Sequence, residues 1–155
     1  MHENRILIHK LKNFENINSN FIKITLMLFG SILLAISAKV QVPFWPVPMT
    51  MQTFVIFLIG MTYSVRLSFA TVAFYLFQGA IGLPVFAAGG GVAYLVGPTA
   101  GYLYGMLFAS IVISYLANLG FSKTYFKATV SLLIGSAIIF SFGIIYLGYI
   151  IGFEK

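Results

Sequence analysis

The side chains that could contact a solute fall in two windows of the chain. Lys39, Trp45, Thr50 and Gln52 flank or lie within a proline-rich stretch, VQVPFWPVPM over 40–49. Phe86, Gly90, Tyr94, Thr99 and Tyr102 lie in or just after a glycine-rich one, GAIGLPVFAAGGGVAYLVGP over 79–98. Hydroxyls, one carboxamide, one cation and aromatic faces on an apolar ground are the make-up of a small-molecule binding site. Groups that break bonds are elsewhere or absent. There is no cysteine, the histidines are His2 and His9, and the carboxylates are Glu3, Glu15 and Glu154. Between Lys23 and Glu154 the only side chains charged at neutral pH are Lys39, Arg66, Lys123 and Lys127. No catalytic residue and no metal ligand set can be assigned, so the chain does not read as an enzyme. Proton-coupled pumping, intramembrane metalloproteolysis and His-assisted serine proteolysis all lack their groups. No GxxxxGK(S/T) motif is present, so energy for active transport must come from another chain.

Those windows must be positioned by elements suited to lipid. Of the 155 residues 60% are apolar and 8% charged, against roughly 25% charged in a soluble domain. Disorder needs the opposite composition, and an outer-membrane barrel would alternate apolar with polar residues. Five continuous apolar segments, about Phe21–Ala38, Thr50–Tyr63, Leu67–Leu83, Thr99–Leu119 and Ala128–Phe153, predict an all-α polytopic membrane protein, a compact bundle of about five transmembrane helices. The second and third fall short of the ~20 residues of a free-standing span and need neighbours around them. Residues 1–20 read as a cytoplasmic N-terminal segment rather than a signal peptide, and 21–155 as one helical-bundle domain. With the N-terminus inside, the cytoplasmic face receives Arg5, Lys10, Lys12, Lys23, Arg66, Lys123 and Lys127, and the outer face only Lys39 and Lys155. This bias sets a multi-pass membrane protein with its N-terminus cytoplasmic. It also explains the net charge of +6 without nucleic acid.

In that orientation the proline and glycine stretches share the outer face, and two helices start there, after Pro48 and Pro98. Unpaired N–H groups and the positive dipole end at such starts suit a carboxylate, and Lys39 would add a full charge. The aromatic residues also have a plain role as interfacial anchors. Gly97, Gly101, Gly105 and Ala109, spaced every four residues, predict close helix packing within the bundle. The shorter series Ser31, Ala35 and Ala38 predicts an outward seam for a partner subunit.

The runs PVPMTMQT (46–53), YLFQGAIGLPVFAAGGG (75–91) and GPTAGYLYG (97–105) resemble, in order and spacing, the BioY family, the biotin-binding S components of energy-coupling factor transporters. The resemblance covers roughly Ala35–Leu119. It implies a six-helix plan with an outward biotin pocket, and as partners biotin, the lipid bilayer, a transmembrane coupling subunit and ABC ATPase subunits. ATP would be used by those partners, with no cofactor bound by this chain. It also implies a docking role for Ser31, Ala35 and Ala38. Family members continue into a Pro-Phe…Gly-Asp-x-x-Lys loop and a sixth helix, whose Asp and Lys are thought to hold the ureido ring and carboxylate of biotin. This chain stops at Glu154-Lys155, which implies a truncated member that binds biotin more weakly. Two other readings stay open at this point: an S component for another vitamin, and a non-transporting truncated membrane protein that binds no ligand.

Overall fold

The computed structural model describes residues 19–152. In chain order these form α1 (Ser19–Lys39), β1 (Gln41–Val42), β2 (Met49–Thr50), α2 (Gln52–Thr62), α3 (Val65–Ala80), the single-turn α4 (Val92–Leu95), α5 (Ala100–Asn118), a 3-10 turn (Phe121–Lys123) and α6 (Tyr125–Ile151). Each of the five predicted segments holds one long helix. Of the N-terminal segment only Ser19 and Asn20 are described, and they open α1; Arg5, Lys10, Lys12 and Lys155 lie outside the described residues. Three helices, α1, α5 and α6, are long and apolar enough to cross a membrane. The shorter α2 and α3 are packed among them.

The proline stretch is not a simple extended loop. It folds back as an antiparallel hairpin with Gln41 opposite Thr50 and Val42 opposite Met49. Pro43, Pro46 and Pro48 all fall in the turn between the two short strands, where no ladder N–H is required of them. The Met51 N–H donates to Val40 O at 3.0 Å and closes the hairpin directly before α2.

Helix α5 is the central rod, packed on α2, α3 and α6, while α1 leans on α3 and α2. Of the expected stripe, Gly101 and Gly105 do what the spacing predicts, whereas Gly97 precedes the helix and meets only Ala93 O and Tyr94 O. A Cβ at Gly105 would lie 2.9 Å from Ile139 Cα, and one at Gly101 would lie 2.5 Å from Phe142 O, so α6 rests on bare backbone. The interior is rich in small hydroxyl residues: Ser31, Ser68, Thr71, Ser110, Ser114 and Ser131 are all fully buried. Two of them link helices: Ser114 Oγ donates to Gly60 O at 3.0 Å and Ser68 Oγ to Ser110 O at 3.3 Å. Phe21, Ile24, Phe29, Ile32 and Ile36 point outward from α1. Large apolar groups outside and small residues inside suit a lipid environment, where helix contact comes from close backbone approach.

That rule corrects the expected docking seam. Ser31 and Ala38 are fully buried and Ala35 is half-buried. Beside them a Cβ on Gly30 would come within 2.6 Å of Thr71 Cγ2. Ser31 and Ala38 thus face into the bundle of the same chain, and of the three only Ala35 keeps partial exposure.

Candidate functional site

Beneath the hairpin and the glycine-rich loop lies a cavity of about 220 Å³. Val47, Pro48, Met49 and Thr50 form its roof, Gln52 and Thr53 enter from the start of α2, and Ala87 and Tyr94 come from the glycine-rich loop and α4. Thr99, Tyr102, Leu103 and Met106 descend one face of α5, and Ile139 and Phe140 close the side on α6. Both helix starts singled out in the sequence therefore open on one space. Neither carries a side-chain cap.

The polar lining divides into spent and unspent groups. Gln52 is buried and committed at both ends: its Oε1 accepts from Thr50 Oγ1 at 3.0 Å and its Nε2 donates to Tyr75 Oη at 2.7 Å. Tyr75 in turn donates to Val85 O at 2.9 Å. The hydroxyls of Thr53, Tyr94, Thr99 and Tyr102 also line the cavity, but make no hydrogen bond to any of the described residues. Each can donate and accept, so four adaptable groups are available to a solute against mostly apolar walls. No lining side chain among the described residues is charged, and no cluster that could hold a metal ion is found among them. The arrangement can hold a neutral or weakly polar ring system.

Of the nine expected ligand contacts, Thr50, Gln52, Tyr94, Thr99 and Tyr102 are brought together here. The other four are used differently. Lys39 Nζ donates to Phe86 O at 2.7 Å. Phe86 itself is fully buried, stacked on Tyr94 at 4.9 Å and edge-on to Tyr75 at 5.5 Å. A Cβ on Gly90 would overlap the Leu83 backbone, so its bareness serves loop packing. Trp45 is 86% exposed at the hairpin turn and lies off the cavity wall. Leu103 and Met106 were legible as the helical continuation of Thr99 and Tyr102. Ile139 lies on a stripe with Ser131, Gly135 and Gly143, spaced by four, whose buried face had no other mark. Tyr75, the hub of the network, had no signal in an apolar helix.

Comparison with known proteins gives this site relatives. A probable biotin transporter BioY of Rickettsia prowazekii is 32% identical over 97% of this chain and 77% of its own length. The biotin transporter BioY of Thermotoga maritima is 38% identical over 76% of this chain and 69% of its own. Among solved structures, the S-component for biotin from an ECF-type ABC transporter, a crystal structure at 2.1 Å, superposes with a TM-score of 0.75 and 26% identity over 85% of this chain and 74% of that one. The BioY family profile matches residues 10–155, and the chain belongs to the BioY family.

Proposed function

We propose that the chain is the substrate-binding membrane subunit for biotin uptake. It captures biotin on the outer face of the bacterial inner membrane and delivers it through an energy-coupling module, a transmembrane coupling subunit with ABC-type ATPases that consume the ATP. The observation that carries this reading is the correspondence of 85% of the chain with an S-component for biotin. The cytoplasmic N-terminus is supported by the one-sided distribution of lysine and arginine, and it leaves the hairpin and the glycine-rich loop outside, over the cavity. Leu103, Met106, Ile139 and Phe140 suit the apolar sulfur ring and alkyl chain of biotin. Hydroxyls of Thr53, Tyr94, Thr99 and Tyr102 can serve both the donors and the acceptor of its ureido group. Thr50 and Gln52 hold the wall in place. At the starts of α2 and α5 the N–H groups of Gln52, Ala100 and Tyr102 already donate to Thr50 Oγ1, Gly97 O and Thr99 O, so a carboxylate would be met by the remaining N–H groups of those first turns.

Calorimetric titration of the purified full chain in detergent tests the reading. Saturable one-to-one binding of biotin, undiminished by excess thiamine or riboflavin, is the expected result. Saturable binding of another vitamin with none of biotin would transfer the role to that vitamin. Absence of any saturable ligand, together with failure to co-purify with a coupling subunit, would overturn it.

A further inference from the structure

We propose that Lys39 is a positioning residue of the binding cavity, a latch that fixes the glycine-rich loop in place, and not the counter-ion of the ligand. Three successive carbonyls of that loop are held by three side chains from different elements. Tyr75 Oη on α3 donates to Val85 O at 2.9 Å, Lys39 Nζ at the end of α1 to Phe86 O at 2.7 Å, and Gln41 Nε2 on β1 to Ala87 O at 3.4 Å. The loop's own bonds add to this: the Phe86 N–H donates to Gly89 O at 2.8 Å and the Gly91 N–H to Gly79 O at 2.7 Å. The Phe86 ring plugs into the bundle against Gly79, where any Cβ would overlap it. Between the end of α3 and Gly91 the segment has no helix and only the single bridge Phe86–Gly89, so these bonds decide where Ala87 stands as cavity wall and from where α4, which carries Tyr94, departs. A bond from an ammonium is the strongest kind among them. Lys39 itself is absent from the wall. Its charge is spent on the backbone that joins the glycine-rich loop to the hairpin side of the mouth.

The ligand arm of the test rests on the biotin reading; the other arm does not. In ligand-free full chain in detergent, Lys39→Met should speed amide hydrogen exchange at Phe86 and Gly91 by roughly tenfold or more while α5 and α6 exchange at wild-type rates. Affinity for biotin and for biotin methyl ester should fall by the same factor, roughly tenfold. Lys39→Arg, which keeps charge and donors, should stay near wild type in both measurements. Lys39→Gln supplies the comparison if the methionine variant does not fold. Unchanged exchange at Phe86 and Gly91 would overturn the latch, and so would loss of biotin affinity with the ester unaffected, which is the signature of a direct counter-ion. If the wild type binds neither compound, the uptake reading falls and the exchange measurement alone decides the latch.

Discussion

Replacing Gly101 by alanine sets two effects of opposite sign against each other. Within a helix the change is intrinsically favourable, by about 1 kcal/mol. Against it, the new Cβ would stand 2.5 Å from Phe142 O and 2.5 Å from Tyr146 Cβ, with Gly143 Cα at 3.2 Å. Two of these three atoms are α6 backbone, which cannot rotate away. Restoring ordinary contact requires α6 to back off by about 1 Å, and that forfeits dispersion along the most extensive interface of the bundle. Overpacking of this kind costs about 1–3 kcal/mol. The clash outweighs the gain, with a net loss of up to about 2 kcal/mol, which at ~2–4 °C per kcal/mol lowers the unfolding midpoint by up to roughly 8 °C. Gly97→Ala is the internal control, because its Cβ would meet only Ala93 O at 3.3 Å and Tyr94 O at 3.6 Å. Its midpoint should move by less than ~2 °C. Thermal unfolding of the full chain in one detergent at one scan rate compares them, since membrane proteins seldom refold and absolute midpoints drift with rate. A Gly101→Ala midpoint at or above wild type would refute the claim that α6 rests on α5 backbone. Because α6 carries Ile139 and Phe140 into the cavity wall, the same variant should also weaken ligand capture.

Ser131 Oγ is buried without a hydrogen-bond partner among the described residues. Ser131→Ala should therefore leave the midpoint unchanged or raise it, by up to about 1 kcal/mol of stability; a clear drop would mean the hydroxyl has a partner. Tyr75→Phe strands both Gln52 Nε2 and Val85 O. It should cost about 1–3 kcal/mol, read as a lower midpoint, and a neutral result would remove Tyr75 as the hub. Thr99→Val and Tyr102→Phe delete hydroxyls that have no hydrogen-bond partner among the described residues. Each should weaken biotin binding severalfold, read by calorimetry, with the midpoint within ~2 °C of wild type. A lowered midpoint with unchanged affinity would show them to be structural.

The five helices were legible because, in lipid, run length and apolarity are nearly the whole signal. Thr50, Gln52, Thr99 and Tyr102 were legible for a related reason. Proline ends the preceding irregular stretch at positions 48 and 98, and polar groups next to a helix start inside an apolar chain need an explanation. Side-chain direction was not legible. Lys39 has the type of an anion ligand and the position of one, but whether its ammonium turns to the cavity or to a carbonyl 47 residues away is decided by the loop's path. Ser31 and Ala38 failed for another reason: a stripe of small residues looks the same whether the helix it admits belongs to the chain or to a partner. Ile139 and Phe140 were hidden because α6 is apolar on nearly all sides, and its buried stripe of Ser131, Gly135, Ile139 and Gly143 does not tell a cavity wall from ordinary helix packing.

The cavity follows from unequal helix lengths. At 1.5 Å per residue, α1 with 21 residues rises about 31 Å, near the ~30 Å of a bilayer's hydrocarbon core, while α2 with 11 rises only about 16 Å. Helix α2 therefore runs out about halfway, and irregular backbone must occupy the remaining depth. Such backbone is tolerated there only if its polar groups are paired and protein or a watery cavity covers it. The Met51 and Gly91 N–H groups are paired across the hairpin and onto Gly79, and the side chains of Tyr75, Lys39 and Gln41 take the loop carbonyls. What remains unfilled is the space between the first turn of α2 and the hairpin above it, walled by the upper half of α5 and the middle of α6. A longer α2 would fill that space with its own first turn. The shortness that makes α2 a poor membrane span is thus the feature that gives the bundle room for a solute.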